Sequence, residues 1–500
     1  MIRHVTDVLI VGAGLAGLQA AVACIETAPQ LGIVVADLGG AASTEIMGFA
    51  APLAAGDSAD CFAADTLRAG GGSGDPALVN RLAGDAAAVV SRLERLGVAF
   101  DRRPDGAYDL LQPVGASFPR VIHQGTTTGR TIIELYRAQL SRRPNVTFRS
   151  WRVFRLLRDN GRITGALALT GGESDQPAVI CCQAKSVILA SGGAAGLFGC
   201  SSWSKLLRGS GYALADAAGA ELTGMGHIQF EPCLTIWPDE LAGFPVITTL
   251  LFAGARLLDR SGLPLYDPGR PAPRKSELAR LIAQAIADGR DCGHGGVWFD
   301  FAGVAESDFA RQYPGYYRKI RPYARTLAGL RLEVRPAAHT TLGGVRIDAS
   351  GATPVPGLFA AGEVCGGIHG QDRIGGNAGL EVLVFGSAAG QSAAHAALGL
   401  DGIAEVTPAV TDPYLAPPPR LSAYPDRSAY LEPLAALLDR SCGVLVTPAG
   451  LNAGLTELAR LHERLDAEPP KRLADRLDCR EALHVGALLI KARLKEQEKG

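Results

Sequence analysis

The sequence predicts an α/β fold of the Rossmann, dinucleotide-binding type, with a second, α+β domain inserted late in the chain and a helical bundle at the C-terminus. Three observations carry that prediction. Near the start, over Asp7–Ala23, an apolar strand runs into Gly12-x-Gly14-x-x-Gly17 and then into a helix of small and aliphatic residues. Near the other end, residues 339–390 hold a strand, an acid, a glycine turn and a second small-residue helix. Between them, from about Gln229 to Ala338, regular strand–helix alternation stops and Pro, Trp and Tyr increase.

Each glycine of the first motif has its own physical task. Gly12 permits the tight turn, Gly14 lets backbone approach a pyrophosphate, and Gly17 allows close helix–strand packing. A second strand, Gly32–Ala36, ends in Asp37, the acid that hydrogen-bonds a ribose at about twenty residues' spacing in this motif. Ser43-Thr44 then leads through Met47-Gly48-Phe49 into a stretch of small residues. Asp75-Pro76 opens a helix to about Leu96, with Leu78, Val79, Leu82, Ala86, Val89, Val90 and Leu93 on its apolar face and Gly97 ending it. His123 precedes Thr126-Thr127-Thr128-Gly129-Arg130, where another helix starts; a His in such a loop reads as a supporting residue.

Around Asn160-Gly161 two strands read as a hairpin, and Ser186–Ala190 returns as a buried strand ending in Ser191-Gly192-Gly193. In the inserted region one helix is clear, Ser276–Ala287. The return to the first domain begins at Gly343. There Leu358–Ala361 forms a strand that ends in Gly362-Glu363, a placement suited to hydrogen-bonding the hydroxyls of a sugar-like chain. The turn Asp372-Arg373-Ile374-Gly375-Gly376 feeds a helix opening at Asn377, so backbone N–H groups and the positive helix end can approach an electron-rich ligand. The divisions expected are 1–228 and 340–403 for the two parts of the first domain, 229–339 for the insert, 404–425 for a proline-rich linker, and 426–500 for the helical domain.

Five hundred residues, 47% hydrophobic, suffice for two or three buried cores. A net charge of -1 argues against nucleic acid and against a polybasic membrane anchor. No apolar run is long enough for a membrane span, and Asp7 with the three glycines suits a strand–turn–helix better than a signal segment. The ten cysteines show no Cys-x-x-Cys, so we expect reduced thiols in a cytoplasmic protein and no metal or iron–sulfur site.

Taken together, GAGLAG, Ser43-Thr44, GDPALVNRLAGD, RVIHQGTTTGR, VILASGG, IQFEP, PAAHTTLGG, GLFAAGE, HGQDRIGGN and the C-terminal LHVGALLIKARLKEQEKG resemble a known family. It is the succinate dehydrogenase/fumarate reductase flavoprotein subunit family, in its L-aspartate oxidase-like branch, and the resemblance runs from Asp7 to the C-terminus. It implies a flavoprotein of two dinucleotide-binding-domain type, a Rossmann-type FAD domain whose substrate is clasped under an inserted α+β capping domain. The FAD would be held by Gly12, Ala13, Gly14, Leu15, Ala16, Gly17, Asp37, Ser43, Thr44, Gly48, Ala190, Gly192 and Glu363, with Ala378, Gly379 and Arg373 at the flavin ring. Membrane-bound members carry their covalent flavin on a His where this chain has Ser43, so the resemblance implies non-covalent FAD.

The resemblance also implies that His339 and Arg373 bind one carboxylate of the substrate, and that Arg280 occupies the place of the proton-donating arginine. On a helical wheel, however, Arg280 lies opposite Leu278, Leu281, Ile282 and Ala285, as a solvent-facing arginine would. Two departures stand out. Glu231 replaces a substrate-binding His, and Thr249 replaces the Glu that reprotonates the arginine. A free carboxylate at Glu231 would repel a second substrate carboxylate and accept hydrogen bonds from an amine or hydroxyl. The expected activity is therefore hydride transfer between flavin N5 and a carbon beside a carboxylate in a small organic acid other than plain succinate or fumarate, with Arg280 or Glu231 handling the proton. Two alternatives are an L-aspartate oxidase-like amino-acid oxidase and a flavin-carrying subunit with a decayed substrate site, serving a separate electron-transfer partner.

Overall fold

In the computed structural model, residues 1–171, 177–267, 269–270, 273–403, 415 and 417–498 are described. The expected linker at 404–425 lies partly outside them, at 404–414 and 416. The first stretch of chain supplies β1 (Ile2–Val11), α1 (Leu15–Thr27), β2 (Ile33–Ala36), β3 (Gly48–Ala50), α2 (Ala59–Ala69), α3 (Pro76–Arg95), β4 (Val121–His123) and α4 (Thr128–Leu140). It continues with β5 (Val146–Arg149), β6 (Trp151–Asp159), β7 (Arg162–Thr170), β8 (Val179–Leu189), α5 (Ser210–Ala217) and β9 (Leu222–Thr223). The insert contributes β10 (Ile228–Trp237), β11 (Arg256–Leu258), α6 (Lys275–Ala287), β12 (Val297–Asp300), α7 (Glu306–Gln312), α8 (Pro314–Ile320) and β13 (Arg331–Thr341). The return adds β14 (Gly344–Arg346), β15 (Leu358–Ala360), β16 (Cys365–Gly366) and α9 (Asn377–Leu398), and the tail adds α10 (Ser428–Ser441), α11 (Pro448–Ala467) and α12 (Leu473–Gln497).

The main sheet runs β5-β2-β1-β8, all parallel, as crossovers through α1 and α4 require. Beyond β8 the sheet divides. The N-terminal half of β8 pairs with β7 of the β6–β7 hairpin, while its C-terminal half takes β15 in parallel. The hairpin turns at Asn160 and Gly161, both with positive φ (45° and 82°), as a two-residue turn of this hand demands. Because β15 returns from beyond the insert, the two ends of the domain, β1 and β15, flank β8 in one sheet. On its face α9 crosses α1 at close range: a Cβ on Gly386 would come 2.8 Å from Ala16 O, and one on Gly390 would overlap Ala20 O. Gly390 O also accepts from Cys24 Sγ at 3.1 Å. Small residues thus bring two helix starts, Leu15 and Asn377, to the same side of the sheet.

The insert has its own core around Cys233, Leu278, Ile282, Phe299, Phe301 and Val334, separate from the large core of the main domain. Its sheet runs β10-β13-β12-β11 and is antiparallel throughout. More structure is present than the single expected helix, because α7 and α8 are only seven residues each, too short to show a periodicity. The expected boundaries at 228/229 and 339/340 fall within β10 and β13, which pair with each other from Ile228↔Thr341 onward. The two crossings between domains are therefore one two-stranded ribbon. The tail forms three packed helices at the positions expected from their apolar spacing. Among the described residues no helix is long and apolar enough to cross a membrane, no cysteine is paired, and no group of three or more His, Cys, Asp or Glu could hold a metal.

Candidate active site

Two features of the main domain fit a dinucleotide. The first is the turn before α1. Gly12 has φ +113°, and a Cβ there would overlap Ala190 O; one on Gly17 would overlap Gly12 O. Gly14 precedes the helix in extended conformation, and Leu15 N donates to Ser43 Oγ at 3.2 Å. Ala13 and Ala16 are buried in the same turn, Ala190 follows β8, and Gly192 holds φ +76°. Thr44 Oγ1 is turned back onto Ala41 O (3.0 Å), and Gly48 pairs with His123 across β3 and β4. Asp37 stands at the end of β2, where its two carboxylate oxygens accept from Gly39 N (2.9 Å) and Arg137 Nη2 (2.7 Å).

The second feature is Glu363, on the turn after β15. It accepts from Thr341 N at 3.1 Å, and a Cβ on Gly193 would overlap its carboxylate. Burial pushes its carboxyl up to about 7 and neighbouring Glu381 adds to the rise, against the pull of the Thr341 N–H and Arg373. Such a carboxyl wants hydroxyl partners. Ser191 Oγ, Gln124 Oε1 and Asn377 Oδ1 are buried polar atoms with no hydrogen-bond partner among the described residues. Gly379 is buried against Phe49, with Ala378 beside it at the start of α9. Close backbone approach, two helix starts and unpartnered polar atoms suit FAD.

The substrate end is built on the ribbon. Between Gln229↔Thr340 and Phe230↔Ala338 the register slips, leaving His339 as the extra residue of a β-bulge, a device that re-aims a side chain. His339 Nδ1 lies 2.8 Å from Ser202 Oγ and its ring stacks on Trp203 at 5.2 Å. The 200–203 segment is held alongside β13 by Ser202 N→Ala338 O (3.0 Å) and Ala338 N→Cys200 O (3.0 Å). Desolvation holds the imidazole well below its usual range, and the charges of Lys275 and Arg373 lower it further, so the ring is neutral at pH 7.

Arg373 enters from the turn before α9. Its Nη2 donates to Gln229 Oε1 at 2.8 Å, while its Nε is buried and has no partner among the described residues. Gln229 Nε2 donates in turn to Asp372 Oδ1 and to Arg373 O, both at 2.9 Å, clamping that turn onto the ribbon. A guanidinium with an open edge beside a neutral imidazole has the chemistry to hold one carboxylate.

Glu231 corrects an expectation. It is not a free carboxylate: Lys275 Nζ donates to its Oε2 at 2.5 Å, and the Glu231 side chain is only 8% exposed. Repulsion of a second carboxylate is therefore largely cancelled. Arg280 is the second correction, because the structure does not bring it to the cluster. It is exposed on the outer face of α6 and makes no hydrogen bond or ion pair among the described residues, while Leu278, Ile282 and Ala285 carry the buried face. The cation that α6 delivers is Lys275, its first residue, one position before the start read from the sequence. Beside it, Ser276 Oγ donates to Asp372 at 2.8 Å, joining the cap to the Arg373 turn. Thr249 Oγ1 meets the Tyr313 hydroxyl at 3.2 Å, and no carboxylate among the described residues is bonded to it.

A dinucleotide-type glycine turn, a second helix start on the same side of the sheet and a separate cap over a His–Arg cluster are features that suit an FAD-linked oxidoreductase. The FAD binding domain family matches residues 7–378. A fumarate reductase (CoM/CoB) subunit of Methanothermobacter marburgensis is 34% identical over 401 residues, covering 78% of this chain and 73% of that protein. L-aspartate oxidase of Mesorhizobium japonicum is 36% identical over 407 residues, covering 78% and 75%. The structure of Mycobacterium smegmatis Sdh1 in complex with UQ1 superposes with a TM-score of 0.88 at 29% identity, over 99% of this chain and 87% of that one. The chain thus belongs to the FAD binding domain family, as an enzyme of its fumarate reductase, succinate dehydrogenase and L-aspartate oxidase flavoprotein type.

Proposed function

We propose that the protein holds FAD without a covalent bond and moves hydride between it and the carbon beside the carboxylate of a small organic acid other than plain succinate or fumarate. The observation that carries this reading is the open, buried Nε edge of Arg373 beside a neutral His339. Gln229 and Asp372 fix the Arg373 turn, so a bound carboxylate would have one plane and its neighbouring carbon one position. Bound FAD supplies the hydride acceptor or donor. The chain's own contribution is to fix the acid at Arg373 and His339, to exclude water beneath the cap, and to manage a proton.

At the far end the cap offers an ion pair, Lys275–Glu231, rather than an uncommitted cation. A hydroxyl or amine on the substrate can share hydrogen bonds with such a pair, whereas a second carboxylate would have to break it. For FAD, Leu15 N–H with Ser43, the glycines of the first turn and Glu363 are the holding groups, and Ser43 offers no ring nitrogen for a flavin bond. The Methanothermobacter marburgensis relative is one component of a larger enzyme by its name, which supports a separate electron-transfer partner here. Ten unpaired thiols suit a cytoplasmic setting.

The test is a titration of the purified flavoprotein with 2-hydroxy acids, 2-amino acids, succinate and fumarate, following flavin absorbance. A hydroxy or amino acid should bleach the flavin within the mixing time and succinate should not; rapid turnover of succinate or fumarate overturns the substrate assignment. The second reading, an L-aspartate oxidase-like activity, draws on the Mesorhizobium japonicum relative and would show peroxide released on adding L-aspartate. Acid precipitation should leave the yellow colour in the supernatant; a yellow pellet would mean a covalent link.

A further inference from the structure

Resting on that reading, we propose that Lys275 is the acid–base residue of the site and that Glu231 is the carboxylate through which its proton is exchanged. Lys275 is the cap-borne cation that reaches the cluster, with Nζ 2.5 Å from Glu231 Oε2, and its charge is felt at His339 on β13 and at Cys233 on β10. Arg280, on the same helix, faces solvent. A lysine as the first residue of a helix sits at the positive end of the helix dipole, where cations are disfavoured. A local rule broken at a cleft marks a functional placement. The start of α6 is also fixed in space, by Ser276 Oγ on Asp372.

The chemistry follows from the side-chain type. A guanidinium holds its proton so firmly that it can act as an acid only with a carboxylate relay behind it, and Thr249 here faces a phenol instead. An ammonium gives up a proton far more readily, and this one already touches a carboxylate. In the reducing direction, where bound FAD would supply hydride to the carbon beside the carboxylate, the Nζ–H bond would break as an O–H or N–H bond forms on the oxygen or nitrogen attached to that carbon, leaving a neutral amine. Glu231 then accepts a proton from solvent and passes it to Nζ, restoring the ion pair. In the oxidising direction the neutral amine takes the proton from the substrate and Glu231 carries it away. Among the described residues, the titratable and charged groups that feel the pair are Cys233, His339, Arg373 and Tyr316, and Asp372 is held by Ser276 next to Lys275.

The test compares wild type, Lys275→Arg, Lys275→Met and Lys275→Ala as FAD-loaded proteins in two measurements. The first is binding of acetate, a single carboxylate, read from the flavin difference spectrum. The second is the pH–rate profile with the acid that bleaches the wild-type flavin. Lys275→Met should bind acetate within about threefold of wild type and lose about a thousandfold in turnover, the scale of acid–base catalysis. Lys275→Arg should keep the FAD and the acetate but remain at least tenfold slow across the whole profile. Ethylammonium should restore part of the rate to Lys275→Ala. If Lys275→Arg matches wild type, or if Lys275→Met loses acetate and rate in equal measure, the lysine is only a binding charge and the proposal fails. If no acid bleaches the wild-type flavin, the functional reading itself fails, before any variant is made.

Discussion

At Arg373, charge and geometry can be separated. Arg373→Lys keeps one positive charge but loses the planar fork that reaches both Gln229 Oε1 and a bound carboxylate. Its kcat/KM on the active acid should fall about a hundredfold, with most of the loss in KM, and steady-state kinetics would show it. His339 carries a second expectation, for the ligand-free protein. Its folded pKa is depressed, so on acidification below about 6.5 the unfolded chain takes up a proton that the folded one does not. Stability is therefore lost as pH falls through that window, and His339→Gln should remove that part of the slope in chemical denaturation at pH 5 and 7. His339 and Arg373, which stand as proposed site residues, could be picked out through the family resemblance, each shortly before a Gly-Gly turn. The bulge that aims His339 could not, since it depends on the pairing of strands a hundred residues apart. Lys275 escaped for a related reason: its position at a helix start is one where propensity argues against a cation, while Arg280 fitted the wheel of a plain amphipathic helix and is one.

Among the elements, α1 and α9 show how glycines set a site at a distance. Their crossing brings Gly386 and Gly390 against the backbone of Ala16 and Ala20, so the start of α9 lies where it does because its middle can approach α1. Gly390→Val should push the helices apart, costing about 2 kcal/mol or more and lowering the ratio of flavin to protein absorbance. Gly84, mid-way along α3 with open space where a Cβ would stand, is the contrast. Gly84→Ala should raise stability by about 1 kcal/mol and leave flavin content untouched, as thermal melts with bound FAD would record. Elements of this kind were legible where a period repeats for several turns or a turn signal is strong, as in α3, α9 and the Asn160-Gly161 hairpin. The cap's α7 and α8 carry too few turns for a pattern, and the ribbon strands β10 and β13 pass from one core to the other, so neither face stays apolar along its length.

In the molecule as a whole, the tail is fastened through buried charge. Arg152 on β6 reaches Asp478 and Glu481 of α12, each at 2.8 Å, and Arg208 joins Asp478 at 3.1 Å. Burial pushes the Glu481 carboxyl up to about 7 even with Arg152 against it. Arg152→Met should cost about 3 kcal/mol by leaving a carboxylate buried without its partner. A raised carboxyl pKa means the folded state binds the proton first, so that cost should be larger at pH 8 than at pH 5. Adding Glu481→Met should recover most of it, as a double-mutant denaturation series would reveal. The tail also reaches the site: Asp439 of α10 accepts from Gly199 N (3.0 Å) and Cys200 N (3.2 Å), at the root of the segment that carries Ser202 to His339.

One consequence of the paired crossing strands concerns motion. Glu231 and His339 sit on the two legs of a single stalk, so any swing of the cap bends that stalk without separating them, whereas Lys275 rides on the moving part and Arg373 on the stationary one. Opening would pull the Ser276 latch off Asp372 and carry the Lys275–Glu231 pair away from Arg373 in the same stroke. Admission of the acid and arming of the proton donor would then be one mechanical event, with the bound acid itself completing the circuit when the lid comes down.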